Sequence, residues 1–261
     1  MRRAIVVTGT ERGLGREISR VLLEEGYHII AVSISGTEME KTKKELVGSL
    51  QIPMDRLDVI EFDLRNVDKI GRLVEAIKTC LNNQTIYLWG YVNNAAIGEP
   101  SSGRSSLLVD MGLKDMMEVL KVNMIAAFLI SREMFKLIKK TQKGGAIVLI
   151  SSISGVKGSP LLPVYAMTKA ALANLAKSIA VVGGGKDNIR ANAISPGVML
   201  TKMAADIFPT KEKIQERFQK NIIQRACDPA EVAHLVSYLL SDYAGYITGE
   251  NIEISGGRRL L

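Results

Sequence analysis

The sequence predicts an α/β fold: a doubly wound parallel sheet of about seven strands with helices on both faces. Three observations carry that reading. Residues 4–34 hold a strand, a glycine-rich turn, a helix and a second strand in direct succession. Beyond them, short β-branched apolar runs alternate with longer amphipathic ones to the end of the chain. Finally, 261 residues with 47% apolar and 23% charged side chains make an ordinary globular chain, long enough for a sizeable core. Strands separated by helices pair in parallel through right-handed crossovers. One domain over 1–261 is the economical organisation, with ligands at the carboxyl ends of the strands.

Ala4–Thr8 reads as the first strand, apolar and β-branched. The turn Gly9-Thr10-Glu11-Arg12-Gly13-Leu14-Gly15 follows, then an amphipathic run from Arg16 to Gly26 and a strand at His28–Ile34. A charged helix at Thr37–Leu50 leads to a strand at Leu57–Phe62, and a helix at Asn66–Leu81 to a strand at Ile86–Val92. Gly, Ser and Pro mark Ile97–Gly112 as a loop. A long helix at Leu113–Lys140, a strand at Ala146–Ile150 and a helix at Tyr165–Val182 come next. Glycines at 183–185 predict that this helix stops early and frays. Ile189–Ile194 and Asn251–Ile254 are the last strands, with a helical insertion at 199–223 and a helix at Pro229–Leu240 between them.

The turn is spaced G-x-x-x-G-x-G, with Leu14 between its last two glycines. It meets the needs of a pyrophosphate site: positive φ, close backbone approach, and amides at a helix start. A glycine turn with no ligand satisfies the same spacing. Downstream, Ser152 precedes Tyr165 and Lys169, which stand four residues apart and so on one helical face. A phenol beside an ammonium is a proton donor whose pKa should fall from about 10 towards neutrality. Tyr-x-x-x-Lys alone is a weak pattern, and only the rest of the chain gives it weight.

Other chemistries fit less well. Cys80 and Cys227 are too separated for a C-x-x-C pair and read as free thiols. His28 and His234 lack partners at metal-ligand spacing, so no metal is expected. The net charge is +7, but the basic residues are scattered and aromatics make up 5%, which argues against nucleic acid. No run of 18 apolar residues points to a membrane, and the expected location is cytoplasmic. Arg132, Lys136, Lys139 and Lys140 suit either an acidic docking partner or a solvated helix face.

Taken together, Thr8–Gly15, Asn93-Asn94-Ala95-Ala96, Ser152, Tyr165-x-x-x-Lys169 and Pro196-Gly197 stand in the order and spacing of the short-chain dehydrogenases/reductases, which the chain resembles from Thr8 to Gly257. The resemblance implies a Rossmann sheet and an oxidoreductase that reduces a carbonyl to an alcohol. Tyr165 would be the proton donor, Lys169 its electrostatic support, Ser152 the holder of the substrate oxygen, and Asn123 the anchor of a water chain to Lys169. It also implies cofactor contacts from Gly9, Arg12, Gly13, Leu14 and Gly15, and from Ser33, Asp63 and Leu64. Asn93, Ala95, Tyr165 and Lys169 would join them, as would Pro196, Gly197, Val198 and Thr201. No acid ends the second strand before Glu38, and Arg12 is placed to meet a 2′-phosphate, so NADPH is favoured over NADH. Glu11 is expected to point to solvent. The family further implies a homodimer or homotetramer and a lid at 199–223. Residues 225–250 resemble the branch that contains 3-oxoacyl-carrier-protein reductases together with sugar, alcohol and steroid dehydrogenases, so the small carbonyl substrate is either free or bound to a carrier protein.

Overall fold

The computed structural model describes all residues except 83–85, 104–105, 202–209, 211–214, 217, 220, 259 and 261. Seven strands form one sheet: β1 (Arg2–Thr8), β2 (His28–Ser33), β3 (Leu57–Glu61), β4 (Ile86–Asn93), β5 (Gly145–Ile150), β6 (Ile189–Pro196) and β7 (Asn251–Ile254). Their order is β3-β2-β1-β4-β5-β6-β7, and every pairing is parallel. The direction of winding reverses between β1 and β4, which opens a crevice at the carboxyl ends of the strands.

β2, β5 and β6 are buried along their whole length, as expected of central strands covered on both faces. On one face α1 (Gly13–Glu24) and α2 (Gly36–Leu50) pack over β1 and β2. The helix at Pro229–Leu240, here α8, lies beside α1, tied to β4 by Trp89 Nε1, which donates to the Leu240 carbonyl at 2.7 Å. On the other face lie α3 (Ile70–Asn82), α5 (Ala127–Thr141) and α7 (Pro163–Gly183).

Three expectations change. The first helix begins at Gly13 rather than Arg16, because the last two glycines of the turn already belong to its first turn. The predicted long helix is α4 (Leu113–Leu120) and α5 joined by a π-helical turn at Lys121–Ala126. Third, α7 does not stop short of its glycines but runs through Val181 and Val182 to Gly183. At that point a Cβ would lie 2.6 Å from the Ile189 carbonyl and 3.1 Å from the Phe135 ring. Gly183 is thus the residue that lets the helix end approach β6 closely. A short helix unread from the sequence, α6 (Ile153–Lys157), follows β5. Most of the lid expected at 199–223 lies outside the described residues.

Candidate active site

A cleft of about 740 Å³ opens at the crevice between β1 and β4. Its floor is the glycine turn. Gly9 adopts φ +71, and Gly15 passes so close to it that an added Cβ would stand 1.8 Å from the Gly9 carbonyl. Only glycine fits there, and the first turn of α1, which carries no side-chain cap, is left facing the cleft. We expect Gly15→Ala to lower stability by about 1–3 kcal/mol through this collision, read as a reduced urea midpoint with an unchanged m-value.

The turn is braced from β4. Thr8 Oγ1 accepts from the Asn94 and Ala95 amides, each at 3.1 Å, and Asn94 Nδ2 donates to the carbonyls of Thr8 and Gly9 at 2.9 and 3.0 Å. Within the turn predicted at Asn93–Ala95, Asn94 therefore lies on the cleft wall, whereas Asn93 points into the core. The Asn93 Oδ1 accepts from the Tyr91 hydroxyl at 2.9 Å. Gly13, Leu14 and Ala95 line the cleft, and so do Pro196, Gly197 and Thr201 on the strand β6 side. Ser33 and Val198 are not among its lining residues.

At the end of the cleft beside β2, Arg12 lines the cleft with its guanidinium 4.0 Å from the Glu38 carboxylate. Glu11 also lines it and accepts a hydrogen bond from Ser33 Oγ at 3.0 Å, so the expectation that it faces solvent is corrected. Asp63 and Leu64 form the opposite wall. Partial burial pushes the Asp63 carboxyl up, but Arg65 outweighs it and holds the pKa below the ordinary value, donating from Nε to both carboxylate oxygens at 3.0 Å. Arg65 also reaches Glu118 at 3.5 Å, and Glu118 accepts from the amide and hydroxyl of Ser101. This strap across the cleft had no signal in the sequence, since Arg65 and Glu118 lie 53 residues apart.

At the other end, Ser152, Tyr165 and Lys169 line the cleft together. Ser152 ends the run after β5 and caps α6, its Oγ accepting from the Ser154 amide at 3.1 Å. Tyr165 and Lys169 lie one turn apart on α7, as their spacing requires. Lys169 is buried, and its Nζ donates to the Ile150 carbonyl at 2.7 Å while standing 5.5 Å from the Tyr165 ring centroid. Desolvation lowers its pKa to about 7. Desolvation also raises the Tyr165 phenol to about 12, against the opposing pull of the Ser152 hydroxyl. The expected fall of the tyrosine pKa is therefore reversed: the ammonium is turned towards a backbone carbonyl, and lost hydration dominates.

Asn123 is fully buried in the π turn rather than on the cleft wall. Its Oδ1 accepts from the Ile97 amide at 2.9 Å, and its Nδ2 donates to the Ile97 carbonyl at 2.8 Å and to Thr168 Oγ1 at 3.3 Å. It ties the segment after β4 to α7, the helix that carries Tyr165 and Lys169. Among the described residues, no cluster of three His, Cys, Asp or Glu side chains could hold a metal, and no helix is long and apolar enough to cross a membrane.

Comparison with known proteins agrees with the fold. The family model described as enoyl-(acyl carrier protein) reductase matches residues 9–259. A 3-oxoacyl-[acyl-carrier-protein] reductase of Aquifex aeolicus (strain VF5) is 33% identical over 253 residues, 97% of this chain and 95% of that protein. Carbonyl reductase family member 4 of Danio rerio is 30% identical over 262 residues, covering 100% of both chains. The crystal structure of a 3-oxoacyl-[acyl-carrier protein] reductase from Brucella melitensis matches with a TM-score of 0.86 at 28% identity, over 98% of this chain and 90% of that one.

Proposed function

Because the chain belongs to the short-chain dehydrogenase/reductase family, and with it to the NAD(P)-dependent oxidoreductases, we propose that it reduces a small carbonyl compound to an alcohol, with NADPH as hydride source and Tyr165 as proton donor. The observation that carries this reading is the convergence of Ser152, Tyr165 and Lys169 on the cleft whose floor is the glycine turn. The residues present suit a dinucleotide. A floor that admits no Cβ at Gly15 leaves backbone amides to meet phosphate, and the cleft is long enough to join that floor to the tyrosine.

Bound there, the reduced nicotinamide supplies a hydride to the carbonyl carbon. The protein supplies the rest. Tyr165, with its phenol raised to about 12, keeps its proton through neutral pH and can deliver it from Oη to the carbonyl oxygen. The Ser152 hydroxyl holds that oxygen as charge develops on it. Lys169 places a positive charge beside the phenolate that forms, and Asn123 acts as a positioning residue by fixing α7 against the segment after β4.

Arg12, exposed at the adenosine end, supports NADPH through its forked guanidinium. A carrier-bound acyl substrate is the second reading, favoured by the similarity to 3-oxoacyl-[acyl-carrier-protein] reductases. The basic helix face supports it less than its sequence suggested. Arg132 and Lys136 both pair with Glu133, and Lys139 pairs with Asp187 at 2.6 Å. Exposed Phe128 on α5 and Met167 on α7 support pairing of these helices between subunits.

The test is NADPH oxidation, followed by absorbance, against acetoacetyl thioesters, diketones, ketosugars and pterins. At least one class is expected to turn over, faster with NADPH than with equal NADH. A panel that consumes neither dinucleotide would overturn the assignment. Higher turnover of a carrier-bound thioester than of the same acyl group on a short thiol would favour the second reading.

A further inference from the structure

The adenosine end of the cleft holds an acid that β2 itself does not supply. Glu11 belongs to the glycine turn, yet its Oε2 takes a hydrogen bond of 3.0 Å from Oγ of Ser33, the buried last residue of β2. Its backbone is fixed as well, its carbonyl accepting from Thr42 Oγ1 on α2 at 3.0 Å. β2 therefore holds this carboxylate, and α2 its backbone, at the carboxyl end of the second strand. That is where dinucleotide-binding folds keep an acid for the ribose 2′-hydroxyl. The next residue, Arg12, is the cation placed to meet a 2′-phosphate, but its guanidinium leans towards Glu38 at 4.0 Å. A phosphate drawn to Arg12 would meet both Glu11 and Glu38.

We propose that Glu11 is a specificity-determining residue: it anchors the ribose of NADH and holds down the preference for NADPH that Arg12 creates. The proposal rests on the reading of this cleft as a dinucleotide site. The 2′-hydroxyl of NADH donates to the Glu11 carboxylate while Ser33 keeps that carboxylate in place. A 2′-phosphate has no proton to donate at neutral pH when fully ionised, and like charge opposes it. NADPH is admitted to the extent that Arg12 outweighs Glu11.

Isothermal titration of the full chain with NADPH and with NADH tests this, using the wild type, Glu11→Gln, Glu11→Ser and Arg12→Ala. Glu11→Gln removes the charge and keeps an acceptor, so NADPH should tighten about tenfold while NADH weakens less than in Glu11→Ser. Glu11→Ser removes both, so NADPH should tighten while NADH weakens. Arg12→Ala should move the ratio of the two dissociation constants the opposite way. A ratio unchanged within about twofold in both Glu11 variants, with both dinucleotides still binding, overturns the role of Glu11 and leaves the dinucleotide site standing. Failure of the wild type to bind either dinucleotide overturns the site and the proposal together.

Discussion

Tyr165→Phe lowers kcat for carbonyl reduction by about 10³-fold, the usual contribution of a positioned general acid, and changes the dissociation constant of the dinucleotide by less than about threefold. The expectation follows from what the substitution removes. The ring of residue 165 stays between the cleft and the body of α7, so packing is conserved, and only the hydroxyl is lost. Among the side chains that line this end of the cleft, Ser151 donates its hydroxyl to the Lys169 carbonyl, Ser152 accepts from the Ser154 amide, and Lys169 donates to the Ile150 carbonyl. In the proposed mechanism Ser152 holds the substrate oxygen and Lys169 supports the phenolate, so the phenol is the group left to give the proton. Single-turnover mixing of the variant with NADPH and the best substrate of the carbonyl panel separates binding from chemistry. Residual kcat above one tenth of wild type would mean that the proton comes from elsewhere.

Features set by local chemistry were legible in the sequence, and features set by encounters across the fold were not. The β-branched runs gave away all seven strands, and the glycine spacing gave away the turn, because both depend on neighbouring residues. The tyrosine–lysine spacing predicted a shared face correctly. It could not predict where the lysine would reach, and Nζ passes the phenol to meet the Ile150 carbonyl from the adjacent strand. Burial of the phenol raises the tyrosine pKa where spacing alone suggests a fall. Glu11 is a similar case. In sequence it sits 22 residues from Ser33 and reads as a solvent-facing neighbour of Arg12; the parallel pairing of β1 with β2 brings the two together. The π turn at Asn123 leaves no mark in composition, since the apolar spacing of α4 and α5 continues across it.

Lys169→Met is expected to stabilise the protein while impairing turnover, and the stability gain should depend on pH. Lys169 is 2% exposed, and among the described residues its ammonium has a backbone carbonyl but no carboxylate for company. Burial lowers its pKa from 10.5 to about 7. Below about 7 the lysine is charged in both the folded and the unfolded chain, so folding bears the whole cost of burying that charge. Between about 7 and 10.5 the unfolded chain holds a proton that the folded one does not, and the cost shrinks as pH rises. At 1.36 kcal/mol per pKa unit the full cost is about 5 kcal/mol. Loss of the hydrogen bond to Ile150 returns about 1–2 kcal/mol, and imperfect packing of methionine a little more, leaving a net gain of about 2–3 kcal/mol at pH 6. In a chain of this size that gain raises Tm by roughly 5–10 °C. Calorimetry of wild type and variant at pH 6 and pH 10 should show the difference narrowing at the higher pH. A lysine kept for stability would give a loss at both. One kept for chemistry gives a more stable and less active protein, the exchange expected where a functional site carries a charge the fold would rather exclude.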